Sequence, residues 1–118
     1  NENTKPWSFF EEFPELNHNA VEGYQFPVPF AKEAFVVMLS SSLYHHRIGQ
    51  RLKVTEEILT QRRVEYAELE ARGTTPLAQV LTTIHFGDYV SCYLAMLYGV
   101  NPSPNPTIDY LKERLGQG

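Results

Sequence analysis

The run Ala34-Phe35-Val36-Val37-Met38-Leu39 is a continuous apolar stretch with β-branched residues at its centre, and Ser40-Ser41-Ser42 follows it directly. A short apolar run that ends in polar turn residues is typical of a fully buried strand in a parallel sheet. Beyond the serines, residues of a buried face recur at helical spacing, with charged residues between them, at Ile48, Leu52, Thr55, Ile58 and Leu59. The pattern predicts a buried strand that leads through a serine turn into an amphipathic helix.

A second strand is predicted between Arg63 and Ala71, where side chains alternate in character up to the boundary at Gly73. Glu68 and Glu70 would share one face of this strand, which fits a solvated edge. Two strands separated by a helix predict a parallel βαβ unit with a right-handed connection. The fold class is therefore α/β, and we interpret the chain as part of a domain because a buried parallel strand requires neighbours.

Prolines and a glycine mark the segment ahead of the first strand. Pro14 is predicted to open a short helical turn that passes through His18 and ends at Gly23. Pro27 and Pro29 are expected to force extended backbone before the strand begins.

Thr75-Pro76 is the clearest helix start in the chain, because threonine is a favoured N-cap residue and proline fits the first helical position. The helix is predicted to run to about Tyr98 and to stop at Gly99. After a link rich in proline, Thr107 is expected to cap a final amphipathic helix that carries Ile108, Leu111 and Leu115.

An acid interrupts the apolar stripe of the long helix. The stripe passes through Leu77, Leu81 and Ile84 and next reaches Asp88. A buried carboxylate needs a partner, so Asp88 is expected either to bond a neighbouring segment or to act directly in chemistry.

Composition limits the partners of this chain of 118 residues, which carries a formal charge of -4. No basic cluster extends beyond Arg62-Arg63, so neither nucleic acid nor an anionic membrane is an expected partner. No apolar run reaches the roughly 18 to 20 residues that span a bilayer, and no signal-like leader opens the sequence.

The single cysteine, Cys92, cannot form an internal disulfide, which fits a reducing cytoplasm. Because Asn1 is not preceded by an initiator methionine, we expect a piece of a longer protein.

Polar chemistry converges in Pro14-Glu15-Leu16-Asn17-His18-Asn19, where a histidine stands between two asparagines. A single loop histidine is more often structural than catalytic, so residue chemistry alone leaves the role of His18 open.

Ser40-Ser41-Ser42 could cap the next helix or contact a phosphate, although the glycines of a phosphate cradle are missing. No metal is expected, because His45 and His46 are adjacent and would point to different helix faces.

Several stretches taken in order also carry a family resemblance. They are Asn1-Glu2-Asn3-Thr4-Lys5, Pro14-Glu15-Leu16-Asn17-His18-Asn19, Gly87-Asp88-Tyr89-Val90-Ser91 with Leu94-Ala95, and Gly99-Val100-Asn101-Pro102 through Leu111-Lys112. Together they resemble the bifunctional phosphoglucose/phosphomannose isomerases of bacteria and archaea. The resemblance implies that residues 1–118 form the C-terminal portion of the second sugar-isomerase (SIS) domain, a three-layer αβα fold in which helices flank a parallel sheet.

The resemblance also implies roles for individual residues. Glu2 matches the catalytic base of the family, His18 its ring-opening histidine, and Lys112 the active-site lysine of its C-terminal helix. Asn17 and Asn19 are expected to bind substrate or to hold His18 in place. One departure is Asn101, which stands where the family often has aspartate. Neither a cofactor nor a metal is implied.

The implied reaction interconverts glucose 6-phosphate or mannose 6-phosphate with fructose 6-phosphate through a cis-enediolate. The implied assembly is a homodimer in which His18 serves the site of the neighbouring subunit. Because the Ser/Thr-rich phosphate loop of the family has no counterpart in the chain, we expect no useful turnover from the chain alone.

Two alternatives from other functional classes remain open. The first is a SIS-type module that binds a sugar phosphate for regulation and catalyses nothing. The second is a purely structural dimerisation domain, which would leave the Asn-His-Asn loop unexplained. Glu2 and Lys112 discriminate between an isomerase and a sensor, because a sensor needs neither of them.

Overall fold

The computed structural model describes residues 8–24 and 28–116. Their helices are α1 (Ala20–Gly23), α2 (Val28–Glu33), α3 (His46–Arg62), α4 (Pro76–Leu97) and α5 (Pro106–Leu115). The strands are β1 (Phe35–Ser40) and β2 (Glu65–Glu70), and a 3-10 turn, Glu15–Asn17, precedes α1. The chain divides into a sheet unit, Phe10–Thr83, and a helical unit that contains Ile84–Gly118.

The sheet unit is built on a parallel pair of strands. Phe35 pairs with Glu65 at one end of the ladder and Ser40 pairs with Glu70 at the other. α3 connects β1 to β2, so the predicted βαβ arrangement and the α/β fold class are confirmed. Glu68 on β2 is exposed, as predicted for a solvated edge.

The core of the sheet unit lies between β1 and α3. Met38, Leu52, Leu59 and Val64 form one buried cluster. Leu52 and Leu59 stand on the face of α3 that the helical spacing predicts, and Leu59 is 0% exposed. Burying one leucine side chain stabilises a fold by roughly 1.5 to 3 kcal/mol. Burial of Leu52 and Leu59 therefore holds α3 on the sheet.

β1 is buried on one face only, and the prediction of a fully buried strand is wrong for the described residues. Met38 and Ser40 are buried, whereas Phe35, Val37 and Leu39 are 61%, 55% and 48% exposed. Alternate side chains of a strand point to opposite faces, and α3 covers the face that carries Met38. The apolar run therefore identifies a strand whose second face is not covered by the residues that the structure describes.

The segment before β1 corrects a second prediction. α2 (Val28–Glu33) contains Pro29, where extended backbone is predicted, and Pro27 lies outside the described residues. Proline is tolerated in a first helical turn because the amides of that turn have no acceptor within the helix. Pro29 is therefore compatible with a helix that starts one residue earlier.

The ends of α4 agree with the sequence. The hydroxyl oxygen of Thr75 accepts a hydrogen bond from the amide of Ala78 at 3.2 Å, which is the expected N-cap contact. The helix ends at Leu97, and Gly99 follows with a φ of 67°, in the left-handed region that favours glycine.

The predicted buried stripe of α4 is wrong. Leu77, Leu81 and Ile84 are all more than half exposed, and Asp88 is exposed as well. The buried positions of this helix are Gln79 and Ala95. Because α4 carries apolar residues almost all the way round, spacing alone does not identify the face that packs.

Two predicted helix caps are replaced by neighbouring residues. The Nδ1 atom of His45 accepts a hydrogen bond from the amide of Arg47 at 3.3 Å, so His45 and not the serine turn caps α3. α5 begins with Pro106 after Asn105, so Thr107 lies inside the helix and does not cap it. Proline at the first helical position sets this boundary.

Two smaller features complete the fold. Cys92 is half-buried in α4 as a free thiol. Among the helices that the structure describes, none combines the length and apolar character that a membrane crossing needs.

Candidate functional site

The loop that contains His18 is a compact turn in the sheet unit. The amide of Asn17 donates to the carbonyl oxygen of Pro14 at 3.1 Å, and the amide of His18 donates to that of Glu15 at 2.9 Å. Leu16 is 7% exposed and Val21 is 4% exposed, so one buried side chain anchors the loop on each side of the histidine. His18 itself is exposed at the apex.

Asn17 ties the loop to α3 by both ends of its side-chain amide. Its Nδ2 atom donates to the hydroxyl oxygen of Thr55 at 3.0 Å. Its Oδ1 atom accepts from Nη1 of Arg51 at 3.2 Å. These contacts engage both the oxygen and the nitrogen of the Asn17 amide with α3.

Asn19 stabilises the loop from the other side of His18. Its Nδ2 atom donates to Oε1 of Glu15, and its amide donates to the carbonyl oxygen of Glu15 at 3.2 Å. Asn19 and Glu15 are both exposed, so this contact shapes the turn without anchoring it to the core. His18 therefore stands between an asparagine bonded to α3 and an asparagine bonded within the loop.

A second anchor lies after the histidine. Nη1 of Arg62 donates to the carbonyl oxygen of Val21, and Nη2 of Arg62 pairs with the carboxylate of Glu22 at 3.4 Å. Because Glu22 is 75% exposed, the ion pair itself contributes little, and the bond to the carbonyl oxygen fixes the main chain.

An open groove of about 380 Å³ borders the loop. Its lining residues come from the loop and α3, and they are Asn17, Val21, Arg47, Gln50, Arg51, Val54 and Ile58. The lining of the groove combines two guanidinium groups and two amides with three aliphatic side chains, so a largely apolar surface carries two positive charges.

Tyr24, which follows α1, packs against the core of the sheet unit. It packs against the cluster of Met38, Leu52, Leu59 and Val64. Burial raises the pKa of Tyr24 above its ordinary value near 10, and the negative charge of Glu11 raises it further.

Of the three predicted catalytic residues, His18 is the one that belongs to this loop. Glu2 is outside the described residues. Lys112 belongs to α5 in the helical unit, where its side chain is exposed and its carbonyl oxygen accepts from the amide of Gly116 at 2.9 Å. The roles of Glu2, His18 and Lys112 therefore remain predictions. Within residues 8–24 and 28–116, no group of three or more His, Cys, Asp or Glu side chains could hold a metal ion.

Sequence reasoning misses the residues of α3 that hold the loop, namely Arg51, Thr55 and Arg62. The contacts of Arg51 and Thr55 reach across more than thirty residues of sequence, beyond any local motif. Thr55 does carry a signal, because a hydroxyl on an otherwise apolar stripe requires a hydrogen-bond partner.

Comparison with known proteins gives a consistent picture. Residues 1–115 match the model of the bacterial phospho-glucose isomerase C-terminal SIS domain. The chain is 37% identical over 115 residues to a bifunctional phosphoglucose/phosphomannose isomerase of Aquifex aeolicus, covering 98% of this chain and 36% of that protein. It is 34% identical over 116 residues to the protein of that name in Caldicellulosiruptor bescii, covering 98% and 34%.

A third relative, the bifunctional phosphoglucose/phosphomannose isomerase of Thermoplasma acidophilum, is 35% identical over 115 residues, with 98% of this chain and 35% of that protein covered. The chain thus spans about a third of the length of these relatives. No solved structure matches the chain at a significant level. Since the family model covers all but the last three residues, the chain belongs to the family of the bacterial phospho-glucose isomerase C-terminal SIS domain.

Proposed function

We propose that the protein containing this chain is an aldose-ketose isomerase that interconverts glucose 6-phosphate or mannose 6-phosphate with fructose 6-phosphate. The observation that carries the proposal is the family match over residues 1–115, together with relatives named as bifunctional phosphoglucose/phosphomannose isomerases. Residues 1–118 would supply the C-terminal portion of the second SIS domain, and the remainder of the protein would supply the phosphate-binding residues.

Glu2 is the proposed base. Its carboxylate takes the proton from C2 of the open-chain aldose, which leaves a cis-enediolate and a carboxylic acid. The same group then returns the proton to C1, and the hydroxyl proton on O2 passes to O1, which gives the ketose. One group can do both if its pKa lies close enough to the working pH for either form to be populated. Because the enediolate has no stereocentre at C2, glucose 6-phosphate and mannose 6-phosphate share this intermediate.

His18 is the proposed ring-opening group. The sugar arrives as a closed ring, so a proton must move between the ring oxygen and the anomeric hydroxyl before the base can act. An imidazole has two ring nitrogens, one of which can donate a proton while the other accepts one. The exposed position of His18 supports this role, because the side chain is accessible to a ligand outside its own loop.

Lys112 is the proposed electrostatic group. Its ammonium would stabilise the negative charge that develops on the enediolate oxygens.

The proposed assembly is a cytoplasmic homodimer in which His18 serves the neighbouring subunit's site. The exposed position of His18, on a loop that α3 holds, is compatible with that role.

The decisive experiment uses the purified full-length protein and its Glu2→Gln variant. Wild-type protein is expected to convert glucose 6-phosphate and mannose 6-phosphate to fructose 6-phosphate, and in D2O the ketose should gain deuterium at C1. Glu2→Gln is expected to lower kcat by about 10²- to 10⁴-fold, since general-base catalysis contributes about that much. Binding of fructose 6-phosphate, measured by calorimetry, should survive the substitution.

Different failures have different meanings. Binding of sugar phosphates without turnover by the wild type would favour the regulatory SIS module. Full turnover by Glu2→Gln would contradict the assignment of the base while leaving the activity intact. Glu2→Asp is the matched control, because it keeps a carboxylate and should retain partial activity.

A further inference from the structure

We propose that Arg51 and Thr55 are positioning residues for the ring-opening step, acting on His18 through the side chain of Asn17. This inference rests on the proposed function and gives a part in the reaction to two side chains of α3 that hold the loop. Neither residue needs to touch the substrate for the inference to hold.

The first step is the orientation of the Asn17 amide. Nη1 of Arg51 can only donate, so it requires Oδ1 of Asn17 on its side, and the distance is 3.2 Å. The Nδ2 atom then faces Thr55 and donates to its hydroxyl oxygen at 3.0 Å. A flipped amide would place donor against donor at Arg51, so the pair of contacts selects one orientation.

The second step is the direction of the Thr55 hydroxyl. Its proton is donated to the carbonyl oxygen of Arg51 at 2.8 Å, one helical turn earlier. The lone pairs of the hydroxyl oxygen are thereby left for Asn17. Thr55 is 1% exposed, so water cannot replace a missing partner, and the network has one satisfied arrangement.

The third step is the geometry of α3. At roughly 100° per residue, Arg51, Thr55 and Arg62 fall within a sector of about 40° on the helix surface. One stripe of α3 therefore binds the loop on both sides of the histidine, at Asn17 before it and at Val21 after it.

These steps imply a function for the stripe. His18 is exposed, so its own side chain has little packing to fix it, and its position follows from the main chain of the loop. Asn17 is the neighbour of His18 in sequence, and a shift of its anchor displaces the imidazole directly. A displacement of about 1 Å can lower a rate by about 10²-fold when the reacting groups require a defined geometry.

The test is steady-state kinetics of the full-length protein with glucose 6-phosphate. Arg51→Ala and Thr55→Val are expected to lower kcat at least about tenfold, with a much smaller change in KM. Thr55→Ser keeps the hydroxyl and should retain most of the activity that Thr55→Val loses. Lys53→Ala removes a positive charge from the opposite side of α3, where Lys53 is exposed, and should leave kcat within about twofold.

A double variant separates positioning from general destabilisation. If Arg51 acts only through His18, the variant Arg51→Ala/His18→Ala should be no slower than His18→Ala. A further loss in the double variant, or unchanged kcat in Arg51→Ala, would overturn the inference. Circular dichroism checks that each variant is folded, and if Thr55→Val is not, Arg51→Ala and the double variant still decide the matter.

The outcome for His18→Ala distinguishes the ring-opening role from the positioning role. Full activity in this variant would remove the ring-opening role from the proposed function, and the positioning role would fall with it. Strongly reduced activity in His18→Ala with normal activity in Arg51→Ala would overturn the positioning role alone.

Discussion

Nε2 of Gln79 in α4 donates to the hydroxyl oxygen of Ser42 in the turn after β1, at 3.0 Å. The same Nε2 atom donates to the carbonyl oxygen of Gly73 at 2.9 Å, and Oε1 of Gln79 accepts from the hydroxyl of Ser41. Gln79 is 4% exposed, so a single buried amide joins the serine turn to the turn that precedes α4. The serines thus bond α4, while His45 caps α3.

Gln79→Ala is expected to lower the free energy of unfolding by about 2 to 3 kcal/mol, because three hydrogen bonds of about 1 kcal/mol each are lost at a buried position. Urea unfolding of the full-length protein, followed by circular dichroism, measures the change. Gln61→Ala is the matched control in α3, since Gln61 is exposed, and it should change stability by less than about 0.5 kcal/mol. Equal stabilities for the two variants would contradict the role of Gln79.

Glycine substitutions should have opposite effects at two positions. Gly73 has a φ of 123°, and a Cβ atom there would lie 2.7 Å from Cβ of Ala78, so Gly73→Ala should destabilise the protein by about 1 to 3 kcal/mol. Gly49 lies inside α3, and a Cβ atom there would meet nothing within 4 Å, so Gly49→Ala should stabilise the protein by about 0.5 to 1 kcal/mol. Thermal unfolding midpoints that move in the same direction would refute this pair of expectations.

Tyr24 predicts a loss of stability at high pH. Because its pKa is raised in the folded state, the folded protein binds more protons than the unfolded chain above about pH 10. The stabilisation is complete below about pH 10 and is lost as the pH rises through the folded pKa. Tyr24→Phe cannot ionise, so its free energy of unfolding should fall less than that of the wild type between about pH 9 and pH 11.

Urea unfolding at several pH values in this window measures that difference. Tyr110→Phe is a suitable control, because it replaces an exposed tyrosine of α5. A wild-type curve parallel to that of Tyr24→Phe would show that ionisation of this phenol does not influence stability.

Lys112 can be tested against its neighbour on α5. Lys112→Met removes the charge proposed to stabilise the enediolate and is expected to lower kcat by about 10²- to 10³-fold, as for the loss of other preorganised electrostatic groups. Arg114→Met removes the same charge from an exposed position two residues later, and kcat should stay within about twofold. Similar kcat values for both variants would return Lys112 to the status of a solvated surface charge.

The sequence predicts the fold where the signals are local. The parallel pair of strands, the buried stripe of α3 at Leu52 and Leu59, and the start of α4 at Thr75 all follow from short-range patterns. The buried face of α4 does not follow from such patterns, because apolar residues lie on nearly every side of that helix. Only tertiary contacts determine that Gln79 is buried.

In the candidate site, too, local features can be predicted from the sequence and long-range contacts cannot. A turn at His18 follows from proline and glycine, and its chemistry follows from residue type. The anchoring by Arg51, Thr55 and Arg62 depends on contacts between residues far apart in sequence, which no local pattern encodes. Glu2 and Lys112 are assigned by family resemblance, because neither an isolated glutamate nor a charge on an amphipathic helix distinguishes itself from a solvated side chain.

The contacts between the His18 loop and α3 determine how this part of the protein unfolds locally. The amides of Leu16, Asn17 and His18 bond the carbonyl oxygens of Glu12, Pro14 and Glu15, inside the loop itself. The fastening to α3 is made by side chains, so the loop can detach while the main-chain ladder of the helix remains closed. Amide hydrogen exchange at these positions would then report a subglobal opening, with a smaller free energy than exchange in the middle of α3. The same side-chain contacts would govern how often the histidine leaves its working position.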